Sequence, residues 1–155
     1  MPLNSATLGK EYDPGSAFDV SRQKIREFAA AIGDESPLYA DVELAQAAGH
    51  PDIPAPPTFG SVISLVMGQG PRRDPEVGLD FSRVVHGEQR IEQRRPIYAG
   101  DTISGAVTIL DIRQSGANEV LEILCVLSDA AGEEACRVTS VLISRGTAGS
   151  GVGDG

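Results

Sequence analysis

His50 and His86 are the two side chains of this sequence whose ordinary titration falls near neutral pH, so acid–base chemistry is sought around them first. His50 lies in a Gly-His-Pro loop and reads as solvated. His86 sits in a strand-like run beside Gly87, Glu88 and Gln89, and a glycine there lets a ligand or another backbone come close. His86 and Gly87 are therefore candidates for substrate binding, although a strand histidine is more often satisfied by its neighbours. No serine and acid stand at a spacing that completes a nucleophile set with either ring. Neither histidine has a second histidine or a cysteine at ligand spacing, and Cys125 and Cys136 alone are too few for a zinc site, so no metal is expected. Thr58, Phe59 and Gly60 open an apolar helical stretch, and the free backbone N–H groups of a first turn can hold a carbonyl or phosphate oxygen.

The helix behind those N–H groups organises the chain. Phe59, Val62, Ile63, Val66 and Met67 fall at i, i+3, i+4, i+7 and i+8, which predicts a buried face with Ile63 and Val66 deep inside. Leu65 adds apolar surface on a second side, so protein is expected all round this helix. Pro57 suits its first turn and Gly68 its end. Upstream, Ala17 to Val20 predict a short strand and Ser21 a helix cap; Ile25, Phe28, Ala29 and Ile32 give an amphipathic helix that Gly33 ends. Asp34 to Tyr39 form a tight loop, in which Asp34 reads as an Asx-type loop residue and Tyr39 as a packing or hydrogen-bonding residue. Asp41 caps a second short helix that Gly49 closes.

Residues 69–80 read as a polar loop with Arg72 and Arg73 exposed. From Phe81 onward the pattern is strands. Glu88, Arg90, Glu92 and Arg94 alternate as a solvated charged face would. Residues 96–101 read as a turn. In the strand after it the alternation changes phase at Ile109 and Leu110, which predicts a bulge. Residues 115–118 make a hairpin turn, Val120 to Leu127 read as a central strand, and Cys136 to Ile143 as the last one. The order is strand, helices, then four consecutive antiparallel strands: an α+β layout with a sheet covering a helix.

A chain of 155 residues with 41% hydrophobic content forms one packed domain, here 1–145, and 146–155 reads as a disordered tail rich in glycine and serine. A formal charge of −9 argues against nucleic acid and anionic membrane surfaces. No apolar run approaches a membrane span, no secretory signal opens the chain, and two cysteines in strands suit reduced thiols in the cytoplasm.

Residues 32–39, Ile-Gly-Asp-Glu-Ser-Pro-Leu-Tyr, then Ala55-Pro56-Pro57-Thr58-Phe59, then His86-Gly87-Glu88-Gln89 and Arg95 to Asp101, together resemble the MaoC-like hydratase/dehydratase superfamily. Within it the sequence is most similar to actinobacterial (3R)-hydroxyacyl-ACP dehydratase subunits with a FAS1-like dehydratase domain. The resemblance implies a hot-dog fold, in which a curved antiparallel sheet wraps one long helix. It also implies pairing of such domains and an acyl chain at their interface. Active relatives carry Gly-Asp-x-Asn-Pro-x-His, whose aspartate and histidine activate the water that adds across a trans-2-enoyl thioester. Gly33, Asp34 and Pro37 match that motif, but Ser36 stands for the asparagine and Tyr39 for the histidine. A phenol, with an ordinary pKa of about 10, is a poor base at neutral pH.

The resemblance therefore implies a partner subunit without its own base, with Asp34, Ser36 and Tyr39 a degenerate motif. Such a chain forms a homodimer or pairs with a catalytic MaoC-like chain, needs no cofactor and meets an acyl-ACP or acyl-CoA. The alternatives are a stand-alone hot-dog hydratase or thioesterase using His86 or Asp34, and a non-enzymatic scaffold that binds acyl thioesters. An acidic carrier protein would meet the least acidic region, which holds Arg72, Arg73, Arg83, Arg90, Arg94 and Arg95.

Overall fold

The computed structural model describes residues 2–13 and 15–149. Two short strands, β1 (Glu11–Tyr12) and β2 (Phe18–Asp19), lead into α1 (Arg22–Ala31), α2 (Val42–Ala47), α3 (Gly60–Met67) and α4 (Gln69–Arg73). Four long strands follow: β3 (Val84–Gln93), β4 (Thr102–Ser115), β5 (Asn118–Ser128) and β6 (Glu134–Ser144). All strand pairs are antiparallel, in the order β1-β4-β5-β6-β3, with β2 also on β4. This is the α+β layout expected, with the sheet laid over α3.

The caps act as the sequence predicts. Ser21 accepts from the Lys24 N–H, and the Asp41 carboxylate accepts from the N–H groups of Glu43 and Leu44. The change of phase in β4 falls where its register against β5 shifts, between Ile109 and Asp111. One expectation of order needs correcting. The four long strands are consecutive in sequence, but β3 lies beside β6 and not beside β4. Residues 94–101 cannot close a tight hairpin because they pair with an earlier segment. Ala55 N–H donates to the Ile97 carbonyl at 2.7 Å, and Ala99 N–H to the Ile53 carbonyl at 3.0 Å. Arg95 locks that crossing with ion pairs to Asp101 at 2.8 Å and Asp129 at 2.9 Å.

The central helix also departs from expectation. It begins at Gly60, because residues 57–59 form a turn in which Phe59 N–H donates to the Pro56 carbonyl. Its buried face is Gly60, Ile63, Ser64 and Met67. Val66 is 58% exposed and Leu65 57% exposed, so Val66 is not in the core and the helix is not enclosed on all sides. The sheet covers one side and α1 covers the start; the remaining stripe faces outward. Phe59 anchors the start, packing edge-on against Phe28 of α1 at 5.5 Å and Phe18 of β2 at 6.3 Å between ring centroids.

Arg72 likewise departs from its expected place in an exposed loop. It lies in α4 and is buried, whereas Arg73 is exposed as expected. Of the stretch read as a tail, Thr147 is buried, and Gly146 N–H donates to the Asn118 side chain. Residues 150–155 lie outside the described residues.

Cys125 and Cys136 are free and buried on the sheet face toward α3. They are not direct partners in the β5–β6 register: Cys125 pairs with Val138 and Cys136 with Leu127. Burial pushes Cys125 up to about 12 and Cys136 up to about 11, so neither is a thiolate near neutral pH. Ellman's reagent at pH 8 is expected to leave both thiols of the native chain unmodified for minutes and to titrate both at once in guanidinium. Fast reaction of the native chain would place a thiol at the surface instead.

Candidate functional site

The loop after α1 is built by its own backbone. Gly33 adopts φ +72°, a conformation that favours glycine. Its N–H donates to the Ala30 carbonyl and the Asp34 N–H to the Ala29 carbonyl, the paired closure of a Schellman helix end. Asp34 Oδ1 then accepts from the Ser36 N–H at 3.1 Å, an Asx turn. A single 3-10 turn, Pro37–Tyr39, follows. Arg26 Nε reaches back from α1 to the Ala40 carbonyl at 2.9 Å and ties the loop down.

This construction leaves a cleft of about 280 Å³ whose lining includes Arg26, Ala30, Asp34, Ser36 and Tyr39. All three positions of the degenerate motif therefore share one cleft. Burial, and then the charge of Asp34, push the Tyr39 phenol above its usual range. At neutral pH Tyr39 is a neutral hydrogen-bonding group and removes no proton. Asp34 and Glu35 are the carboxylates that line the cleft, Asp34 at the motif's acidic position, and no imidazole lines it beside them.

The other candidates fall elsewhere. Thr58 is exposed, Phe59 is a core aromatic, and Gly60 packs against β6, where an added Cβ would stand 2.9 Å from Cys136 Sγ. The N–H groups of Phe59, Ser61 and Val62 are spent on the carbonyls of Pro56, Thr58 and Phe59. Phe59 and Val62 border a groove of about 260 Å³ against Phe28 and Ala31 of α1. His86 is on exposed β3, with Nε2 bonded to the Glu88 carbonyl at 3.0 Å across the bulge at Gly87. The close approach that Gly87 permits is to Ile143, since a Cβ would stand 2.7 Å from its Cδ1. His50 Nδ1 shares a hydrogen bond with Tyr98 Oη at 3.0 Å.

The charged face of β3 is neutralised locally. Arg90 pairs with Glu88 and Glu122, and Arg94 with Glu92 and Glu134. Among the described residues no helix is long and apolar enough to cross a membrane, and no group of three or more His, Cys, Asp or Glu side chains could hold a metal.

Sequence reasoning missed one cluster. Arg72, His86, Gln89 and Ser140 line a cleft of about 190 Å³ together with Ser61, Ser64, Val62 and Leu65 of α3. The only local hint was Gly68, four residues before Arg72, because a Cβ at Gly68 would stand 2.6 Å from Arg72 Nη1.

Comparison with known proteins gives a consistent picture. A family model described as "FAS1-like, dehydratase domain region" matches residues 6–138. A UPF0336 protein of Saccharopolyspora erythraea is 46% identical over 148 residues, covering 96% of this chain and 95% of that one. Among solved structures, a MaoC-like dehydratase superposes with a TM-score of 0.83 at 26% identity. The match covers 90% of this chain but 42% of that protein, so this chain spans less than half its length. The C-terminally truncated HadBC (3R-hydroxyacyl-ACP dehydratase) complex of Mycobacterium tuberculosis superposes with a TM-score of 0.78 at 23% identity, covering 90% of this chain and 99% of that one.

Proposed function

The chain belongs to the FAS1-like dehydratase domain family, with the MaoC-like hot-dog fold, and from that premise we propose that it is a subunit of a (3R)-3-hydroxyacyl-thioester dehydratase that relies on another chain for its base. One observation carries the reading. The Asp34–Tyr39 loop keeps a helix stop, an Asx turn and a shared cleft, yet it offers a neutral phenol where the motif has an imidazole. A chain selected for stand-alone hydration would keep the base, since general base catalysis contributes about 10²–10⁴-fold. A stand-alone hydratase using His86 or Asp34 would work without the other, since the two line different clefts, and so without the acid–imidazole pair of the motif. Free thiols at Cys125 and Cys136 suit a reducing compartment. The test is hydration of trans-2-enoyl thioesters, as ACP and CoA forms, by the chain alone and with a MaoC-like chain bearing the intact Asp/His pair. Activity only in the mixture is the expected result; full activity of the chain alone overturns it.

Association follows from the same reading. β3 is an edge strand and is exposed along most of its ten residues. Unpaired strand edges favour pairing with another chain. On α3, Val66 leaves apolar surface uncovered. Light scattering is expected to give a dimer for the chain expressed alone and a heterodimer when a catalytic partner is co-expressed. A monomer at high concentration in both preparations would contradict this.

A further inference from the structure

We propose that the cleft between α3, α4 and the β3–β6 edge is a binding site for a carboxylate carried on a short aliphatic chain. It is separate from the Asp34–Tyr39 cleft and does not rest on the dehydratase reading. Two of its polar side chains are at least nine-tenths buried: Arg72 is 9% exposed and Ser140 is 4% exposed. A guanidinium carries five N–H donors, and Arg72 spends Nη1 on the Gly68 carbonyl at 2.8 Å.

No acid answers its charge. Asp74 is held by Lys10 and Tyr12, Asp80 by Ser82 and Arg83, and none of the ion pairs among the described residues includes Arg72. Burial pushes its pKa below the usual guanidinium range, the mark of a cation short of a counter-charge. The one sealed side-chain polar atom without a partner among the described residues is Ser144 Oγ. The unused donors of Arg72 and Ser140 therefore reach open space; Arg72 also borders a second cleft beside Asp74 and Asp80, whose carboxylates are taken by other partners, and the α3–α4–sheet cleft is the one that Arg72 and Ser140 both line. Gly68 keeps the guanidinium's seat open, since a side chain there would strike Nη1.

The lining selects the anion. One guanidinium matches one negative charge, and its planar fork matches the two oxygens of a carboxylate. Ser140 and Gln89 offer further donors beside it. Val62 and Leu65 form an apolar wall that suits a short alkyl tail and would leave the outer oxygens of a phosphate unsolvated. A cleft of about 190 Å³ holds a carboxylate with a few methylene groups.

The test uses the full chain and calorimetric titration with butyrate, butyramide and inorganic phosphate at constant ionic strength. Saturable binding of butyrate at one site is expected, with the neutral isostere butyramide and phosphate both at least about tenfold weaker, the scale of a lost charge-assisted hydrogen bond. Ser140→Ala and Arg72→Lys should each weaken butyrate several-fold while the far-ultraviolet spectrum is kept. Arg72→Met should abolish binding; if it fails to fold, the two milder variants decide. No saturable butyrate binding overturns the proposal. So does equal affinity for butyramide, which would mark an apolar groove only, or stronger binding of phosphate. Unchanged affinity in Ser140→Ala and Arg72→Lys would place the butyrate elsewhere on the molecule.

Discussion

The double variant Tyr39→His, Ser36→Asn is expected to hydrate trans-2-enoyl thioesters measurably where the parent chain does so poorly. The argument is local. Tyr39 lines the same cleft as Asp34, in a loop whose shape is set by backbone bonds that neither substitution removes. Asp34 Oδ1 is occupied by the Ser36 N–H, which leaves Oδ2 to orient an imidazole. The N–H of residue 36 persists when the side chain becomes asparagine, so the Asx turn survives. An imidazole titrates near neutral pH, whereas the Tyr39 phenol is pushed further from it by burial and by Asp34. Restoring a base can return up to the full contribution of general base catalysis, about 10²–10⁴-fold. The gain should vanish when Asp34→Ala is added, and the rate should rise with pH through the histidine's titration. A folded double variant with no gain would mean that the cleft does not receive the thioester. Strong activity in the parent would mean that a group outside this loop is the base.

What could be read from the sequence was what residues near one another in the chain decide. Ser21, Asp41 and Gly33 each act within four residues of themselves, and each performs as its type predicts. The bulge in β4 shows as a slip in alternation because the alternation is local too. Arg72 was misplaced because the groups that enclose it come from far along the chain: Ser140 on β6 and Cys125 on β5 approach it only through the sheet. The pairing of β3 with β6 rather than β4 is long-range in the same sense; it follows from residues 94–101 binding to 53–55. In the candidate site, the loop and its missing imidazole were legible in the sequence. That the N–H groups of Phe59, Ser61 and Val62 are already spent, and that the approach at Gly87 is to Ile143, required the fold.

The central helix separates two substitutions that periodicity treats alike. Ile63→Asp is expected to unfold the chain or nearly so. Ile63 has no exposed surface, and an aspartate there would leave an unpaired charge against the sheet. Such a charge costs about 3–5 kcal/mol, against a total stability of about 5–15 kcal/mol for a domain of ordinary size. Val66→Asp, three residues on, is expected to move the urea midpoint by an amount corresponding to no more than about 0.5 kcal/mol, because Val66 is 58% exposed. The 3.6-residue repeat admits two adjacent stripes on this helix, Phe59–Ile63–Met67 and Val62–Val66, and only the first is buried throughout: Val62 is half-buried against the core and Val66 is exposed. Apolar surface on the second stripe then calls for another explanation, and association supplies one. Val66→Asp should therefore shift the light-scattering mass toward monomer at concentrations where the parent is dimeric, while its dilute-solution stability stays near that of the parent. A variant as dimeric as the parent would remove this stripe from the interface. Equal destabilisation by Ile63→Asp and Val66→Asp in dilute solution would show that the helix is enclosed on both sides after all.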